Sequence, residues 1–304
     1  MRVDWTPAGS TAIRLDQNGG WMLLQMGGHG APDTTVHTLA TPDRDEQLPL
    51  HAAAQPRLVT LSFLIQGTTP ATFESNRAAL ATTFAPWRDA GVSGRPGLLS
   101  VTLADGRVRA LRAFPRQGLA WLSGSRRGNH VVESIALEAS DPFWFDPTPS
   151  TGNATVQAAG SLRFDGDTEL GFPAAFGSDL PNARTTITNP GSARSFPVID
   201  VAGPVVNPSL RLASSGHVLA FDLTVPAGLS LRVTNGAQSD GSVDAPSAVL
   251  IDDLGNESNV LGTLRAGSRF WALGPGENRV VFAQDSPASG TVYQYQFFPR
   301  DVAI

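Results

Sequence analysis

Leu58-Val59-Thr60-Leu61-Ser62-Phe63-Leu64-Ile65 alternates, with Val59, Leu61, Phe63 and Ile65 on one side and Thr60 and Ser62 on the other. A period of two is the mark of a half-buried strand. Just downstream the period changes and predicts a helix over about 70–85. Thr69 can cap it, Pro70 suits the first helical position, and Glu74 favours the positive N-terminal end. Phe73, Leu80 and Phe84 share a face that should pack on a sheet, and Pro86 ends the helix. Beyond it Leu99, Val101 and Leu103 alternate with Ser100 and Thr102, and Asp105-Gly106 marks a hairpin turn. A strand near 108–114 continues through Pro115 towards Leu119-Ala120-Trp121, and another runs from Val131 to Leu137. Upstream, Trp21-Met22-Leu23-Leu24-Gln25-Met26 reads as a strand stopped by Gly27-Gly28. Residues 29–56 show no clear period and read as a long loop, which at this length is usually functional or interfacial.

The last strand of this half leads into Asp141-Pro142-Phe143-Trp144-Phe145-Asp146-Pro147. Two prolines around three aromatics exclude a central strand, so this is read as a packed segment closing a first domain, with Trp144 buried at the exit. Residues 148–160, rich in Pro, Ser, Thr, Gly, Asn and Ala, read as the linker. Strands are expected at 185–188, 196–201, 209–212, 217–224, 229–234, 248–251, 269–273, 278–283 and 291–298. In the last, Tyr293, Tyr295 and Phe297 share a face opposite Gln294 and Gln296. Regular short strands with Gly, Asn and Pro turns indicate a sandwich or jelly roll. The expected fold class is mainly β, with domains at 1–150 and 151–304.

Composition agrees. The chain has 304 residues, 41% hydrophobic and 16% charged, with 31 Gly and 23 Pro. That suits two β-rich domains and is too apolar for disorder. The net charge of −5 argues against general attraction to nucleic acid. All 22 basic residues are Arg, which reads as codon bias. Without cysteine there are no disulfides, thiolate metal sites or thiol nucleophiles. The N-terminus lacks the apolar stretch of a signal peptide, and no run approaches the ~20 apolar residues that span a bilayer. A soluble protein made in a cytoplasm, without membrane insertion, is expected.

No catalytic constellation stands out, so no enzyme activity, cofactor or metal is expected. His29, His37, His51, His130 and His217 lack partners at zinc-ligand spacing. Gly27-Gly28-His29-Gly30 fails the phosphate-loop pattern. Asp165-Gly166-Asp167-Thr168-Glu169 begins like a calcium loop but has Phe176 where the twelfth-position Glu belongs. Asp252-Asp253 with Asn256 and Glu257 reads as a solvated hairpin. Ser123-Gly124-Ser125 lacks the flanking glycines of a nucleophile elbow. Arg126-Arg127 reads as a basic hairpin tip, either solvated or touching a neighbouring subunit. Trp271, in Arg269-Phe270-Trp271-Ala272-Leu273, is the candidate glycan contact. One of Phe270 and Trp271 should face out, and core packing is the competing reading for Trp271.

The order of these elements resembles the siphophage distal tail protein family. In the first half, Arg57 precedes an alternating strand and a short helix. Pro96-Gly97, a hairpin, and Ala139-Ser140-Asp141-Pro142-Phe143-Trp144 follow. In the second, Ile187-Thr188-Asn189-Pro190-Gly191, Phe196-Pro197-Val198-Ile199, Val206-Asn207-Pro208-Ser209 and Leu273-Gly274-Pro275-Gly276-Glu277-Asn278 fit the family's galectin-like or carbohydrate-module-like sandwich. The resemblance spans about Arg57 to Phe298 and is weakest over 1–56. It implies a structural ring, typically of six subunits, at the virion's tail tip. The ring joins the tail tube protein to tail-tip, tail-fibre or receptor-binding proteins. The first domain forms it and the second faces outward. Genome DNA passes the lumen without specific binding, and an acidic lumen is expected. Asp141, Pro142, Phe143 and Trp144 are the structural motif the family shares. The alternative is an accessory or receptor-recognition protein that binds glycan weakly.

Overall fold

The computed structural model describes residues 1–17, 19–40, 47–85, 96–117, 128–156, 182–236, 245–285 and 291–304. The chain forms two compact units, Met1–Pro147 with Arg300–Ile304, and Thr148–Pro299. Where the sequence suggests one crossing near 150, the chain crosses twice, because its last five residues belong to the first unit.

In the first unit the elements are β1 (Arg2–Thr6), β2 (Ile13–Arg14), β3 (Trp21–Gly27), β4 (Thr34–Ala40), β5 (Gln47–Ala54), β6 (Arg57–Gln66), α1 (Pro70–Thr83), β7 (Gly97–Thr102), β8 (Val108–Gln117), β9 (His130–Ala139) and β10 (Trp144–Phe145). The strand order is β2-β1-β7-β8-β9-β6-β3. β8 serves both ends of this sheet. Residues 108–113 pair with β7, and from Phe114 on the strand pairs with β9, with a register shift between Pro115 and Gln117. A proline without an N–H and a bulge are what let one strand turn such a corner. Val59, Leu61, Phe63 and Ile65 of β6 are fully buried, as their alternation requires. Leu119-Ala120-Trp121 lies outside the described residues.

α1 starts as expected, with the Thr69 side chain accepting from the Thr72 N–H and Pro70 in the first turn. Phe73 and Leu80 are fully buried, worth roughly 1.5–3 kcal/mol each. Two details differ. Glu74 lies past the first turn and pairs with Arg77 at 3.0 Å instead of serving the N-terminus. The helix also stops at Thr83, because Phe84 leaves helical geometry and stacks on Trp5 at 5.4 Å. The Trp5 indole N–H donates to the Thr83 carbonyl at 3.2 Å, fixing that end. Gly97 lies directly on the Trp5 ring, where a Cβ would sit 2.3 Å from a ring carbon.

The expected loop at 29–56 is instead largely a ribbon, with β4 and β5 antiparallel to each other. Its signal is hidden because both faces are exposed over the described side chains, so no polar–apolar alternation is imposed.

The second unit contains β11 (Ser150–Thr155), β12 (Asn182–Asn189), β13 (Val198–Ala202), β14 (Val205–Val206), β15 (Ser209–Leu212), β16 (Val218–Ala220), β17 (Thr224–Val225), β18 (Ser230–Thr234), β19 (Ser247–Ile251), β20 (Glu257–Asn259), β21 (Gly276–Ala283) and β22 (Val292–Phe297). A final strand, β23 (Arg300–Asp301), returns to the first unit. A six-stranded sheet, β11-β22-β13-β18-β19-β20, and a four-stranded sheet, β12-β21-β15-β16, enclose one core of the antiparallel sandwich kind. Phe282 and Tyr293 stack there at 4.8 Å, and burial pushes the Tyr293 phenol well above its ordinary pKa.

Three sequence expectations change here. Part of the supposed linker, Ser150–Thr155, is an edge strand paired with β22, and within it only Ala154 is buried. The stretch 217–224 is split between β16 and the start of β17, with Phe221 bridging to Leu264. The stretch 269–273 is not a strand, and Leu273 makes an isolated bridge to Ser195.

Candidate functional site

The Asp141-Pro142-Phe143-Trp144 motif sits where the chain leaves the first unit. β10 pairs with β23, so the outgoing and returning strands lie side by side, and Phe145 also pairs with Ala110 of β8. Trp144 is fully buried. Three arginines lock the junction. Arg57, 3% exposed, donates to the carbonyls of Gly28 (2.6 Å), Val302 (2.7 Å), Pro142 and Gly30, and its guanidinium lies 5.8 Å from the Trp144 ring centroid. One planar fork thereby ties three backbone segments together through four carbonyls. Arg300 pairs with Asp141 and lies 4.7 Å over the Phe143 ring. Arg109 bridges Asp301 (2.6 Å) and Asp146 (3.1 Å). Burial lowers the pKa of Arg57 and Arg300 and raises that of Asp141, with the neighbouring opposite charges acting against it. Gly28 completes the cradle: its φ is +82°, and a Cβ would lie 2.1 Å from the Leu58 carbonyl oxygen. Sequence reading finds the aromatic motif and notes Arg57 as a landmark. It misses Arg109 and Arg300, whose partners lie 37 to 192 residues away.

The ribbon β4–β5 is the second feature. Val36, Leu39 and Leu50 are 53–61% exposed, and His37 faces His51 across the strands with ring centroids 6.1 Å apart. Among the described residues neither strand pairs with the main sheet. A two-stranded ribbon is marginal on its own in water.

The third feature is a cleft of about 480 Å³ in the second unit. Its walls are shaped by three buried asparagines, 1–3% exposed. Asn189 donates to the carbonyls of Ala193 and Leu273 and accepts from the Gly191 N–H. Asn235 donates to the Pro197 carbonyl and accepts from the Trp271 N–H. Asn278 brackets the Gly274–Gly276 turn. Satisfied buried amides of this kind hold loops rigidly. Trp271 is 3% exposed and belongs to the core cluster, so it forms part of the cleft wall and not an open stacking platform; Phe270 is the more exposed of the two rings.

Apart from the His37–His51 pair of the ribbon the described histidines are scattered, and among the described residues no three His, Asp or Glu side chains gather into a metal site. Asp252 accepts from the backbone N–H groups of Leu254 and Asn256, as a turn-forming residue does. The segments 165–169, 123–125 and Arg126-Arg127 lie outside the described residues. No described helix is long and apolar enough to cross a membrane.

No protein-family model matches the chain, and no curated protein matches it. Solved structures do. The chain is similar to the Dit protein of phage SPP1, described as a paradigm of the hub adsorption apparatus in phages infecting Gram-positive bacteria. The TM-score is 0.63 at 12% identity, covering 98% of each chain. It is also similar to a chain of the phage P2 baseplate in its activated conformation with calcium (TM-score 0.51) and with strontium (0.53). Identity is 11% in both, over 100% of this chain and 99% of the other. The chain therefore has the fold of phage distal tail and baseplate hub proteins over its full length.

Proposed function

We propose that this chain is the distal tail protein of a long-tailed bacteriophage. Copies of it form a closed ring, of six subunits, at the tail tip. The ring joins the tail tube protein to the tail-tip, tail-fibre or receptor-binding proteins. The role is structural, and the subunits assemble in the host cytoplasm before becoming part of the virion.

The observation that carries this reading is the β4–β5 ribbon. A closed ring requires head-to-tail interfaces, in which one surface of a subunit meets a different surface of the next. A ribbon whose described side chains are largely exposed, Val36, Leu39 and Leu50 among them, supplies one such surface by lying on a neighbour or adding strands to it. The full-length likeness to hub proteins supports the same reading. The junction adds to it. The second unit is inserted between two paired strands of the first, and Arg57, Arg109 and Arg300 fasten that root. An outward module that carries load needs such an anchor.

Light scattering on the chain, alone and mixed with its tail tube protein, tests the proposal. A discrete species of six copies of the 31.9 kDa chain is expected in at least one condition. A monomer at every concentration in both conditions would overturn it.

A further inference from the structure

We propose that His37 and His51, facing each other across β4 and β5, form a two-imidazole site for one divalent transition-metal ion, copper(II) or zinc, which bridges the two strands. The site is a property of the ribbon itself and does not depend on the ring.

The two histidines are far apart in sequence, but the register of the ribbon makes them direct partners. Directly opposed residues of an antiparallel pair leave the same face, with Cβ atoms about 4.5–5.5 Å apart. The ring centroids lie 6.1 Å apart and the ring planes are 14° from parallel. A metal–nitrogen bond of about 2.0–2.1 Å places the ion roughly 3.2 Å from each ring centroid. Two imidazoles on one ion then have centroids about 5.2 Å apart at a tetrahedral angle and about 6.4 Å apart on opposite sides. The observed spacing falls between those limits. Rotation about the side-chain torsions therefore brings a nitrogen of each ring to one ion without backbone movement. Both side chains are exposed, so an ion enters from solvent. The next pair on the same face is Thr35 opposite Ala53, whose small side chains leave coordination positions open to water.

The ligand set decides the class of ion. Imidazole nitrogen suits copper, nickel and zinc, whereas calcium and magnesium take oxygen ligands. The chain has no cysteine, so no thiolate competes for the ion. Among the described residues no third His, Asp or Glu joins the pair, so water completes the sphere. Copper(II) binds such a site more tightly than zinc. An ion held by both strands binds only while they are paired, so it stabilises a ribbon that is marginal alone.

The full chain, mixed with one equivalent of copper(II), is studied by pulsed electron paramagnetic resonance, which counts coordinated imidazoles through their remote nitrogens. Two imidazoles per ion are expected, with a Kd on the order of 10 μM. His37→Gln and His51→Gln should each leave one imidazole and weaken binding about tenfold or more. His130, opposite Gln66 on β9, is the single-imidazole control, and His130→Gln should change neither quantity. Hydrogen–deuterium exchange with and without zinc supplies a second readout. Zinc should slow exchange across 34–54 about tenfold, and His37→Gln should remove that protection. Calcium at about 1 mM should leave both readouts unchanged. One imidazole per ion in the unaltered chain would overturn the proposal. So would a two-imidazole signal that survives either ribbon substitution, or unchanged exchange across 34–54 in zinc. Displacement of copper by calcium would reassign the ion to oxygen ligands and overturn it too.

Discussion

Arg57 joins separated segments of the first unit through a single side chain. Its side chain reaches the loop after β3, the Pro142 carbonyl and the C-terminal segment at once. Removing a buried guanidinium leaves several carbonyls without their donor, so Arg57→Ala should destabilise the unit by about 3–5 kcal/mol. Arg57→Lys should recover little, because one ammonium cannot span four carbonyls. Denaturant unfolding checks this, and a loss below about 1 kcal/mol would contradict the clamp. Asp141 makes a separate prediction. Burial raises its pKa in the folded chain, so from about pH 4 up to the raised value the folded state holds a proton that the unfolded state has lost. Stability from this group is therefore full at lower pH and declines as pH rises through that window. Asp141→Asn should flatten the decline in a series of melting temperatures, leaving the contribution of Glu133, whose pKa burial also raises. An unchanged slope would show that the Arg300 charge cancels the effect of burial, and a steeper decline that it outweighs it.

Elements facing a core on one side announce themselves in the sequence. β6 is legible because Val59 to Ile65 must alternate, and α1 because Thr69, Pro70, Phe73 and Leu80 each do what their chemistry favours. The ribbon is illegible for the converse reason: with His37, Val36 and Leu50 all exposed, burial imposes no pattern. Ser150–Thr155 is hidden likewise, since an edge strand with one buried Ala carries almost no hydrophobic signal. The candidate sites divide in the same way. Asn189, Asn278 and the Asp141–Trp144 run stand in recognisable turn or aromatic motifs, whereas the returning strand Arg300–Asp301 has no local cue and is specified by partners far along the chain. If the ribbon is the ring's arm, replacing 34–54 by a short Gly-Ser turn should abolish ring formation. It should change the unfolding free energy of the first unit by less than about 1 kcal/mol, as expected of a marginal ribbon. Val36→Asp with Leu50→Asp should do the same with less disruption. Rings that persist in both variants, by light scattering, would remove the ribbon from the interface.

For the whole molecule, the chain's acidity acquires a use once copies are placed in a ring. A lumen that passes DNA should not hold it, because phosphate contacts to basic side chains provide most non-specific affinity. With 27 acidic and 22 basic side chains per copy, the inner wall should carry more Asp and Glu than Arg. Assembled rings should then fail to retard duplex DNA in a gel even at about 50 mM salt, where such contacts are strongest. Retardation under those conditions would point to a basic lumen. The measurement that bears most directly on the central claim is electron microscopy of the largest species separated by size exclusion, with two-dimensional class averages of end-on views. The account predicts closed annuli of six subunits around an open lumen, each with an outward module. Open chains, two-fold dimers or isolated two-lobed particles, with tail tube protein present, would contradict it.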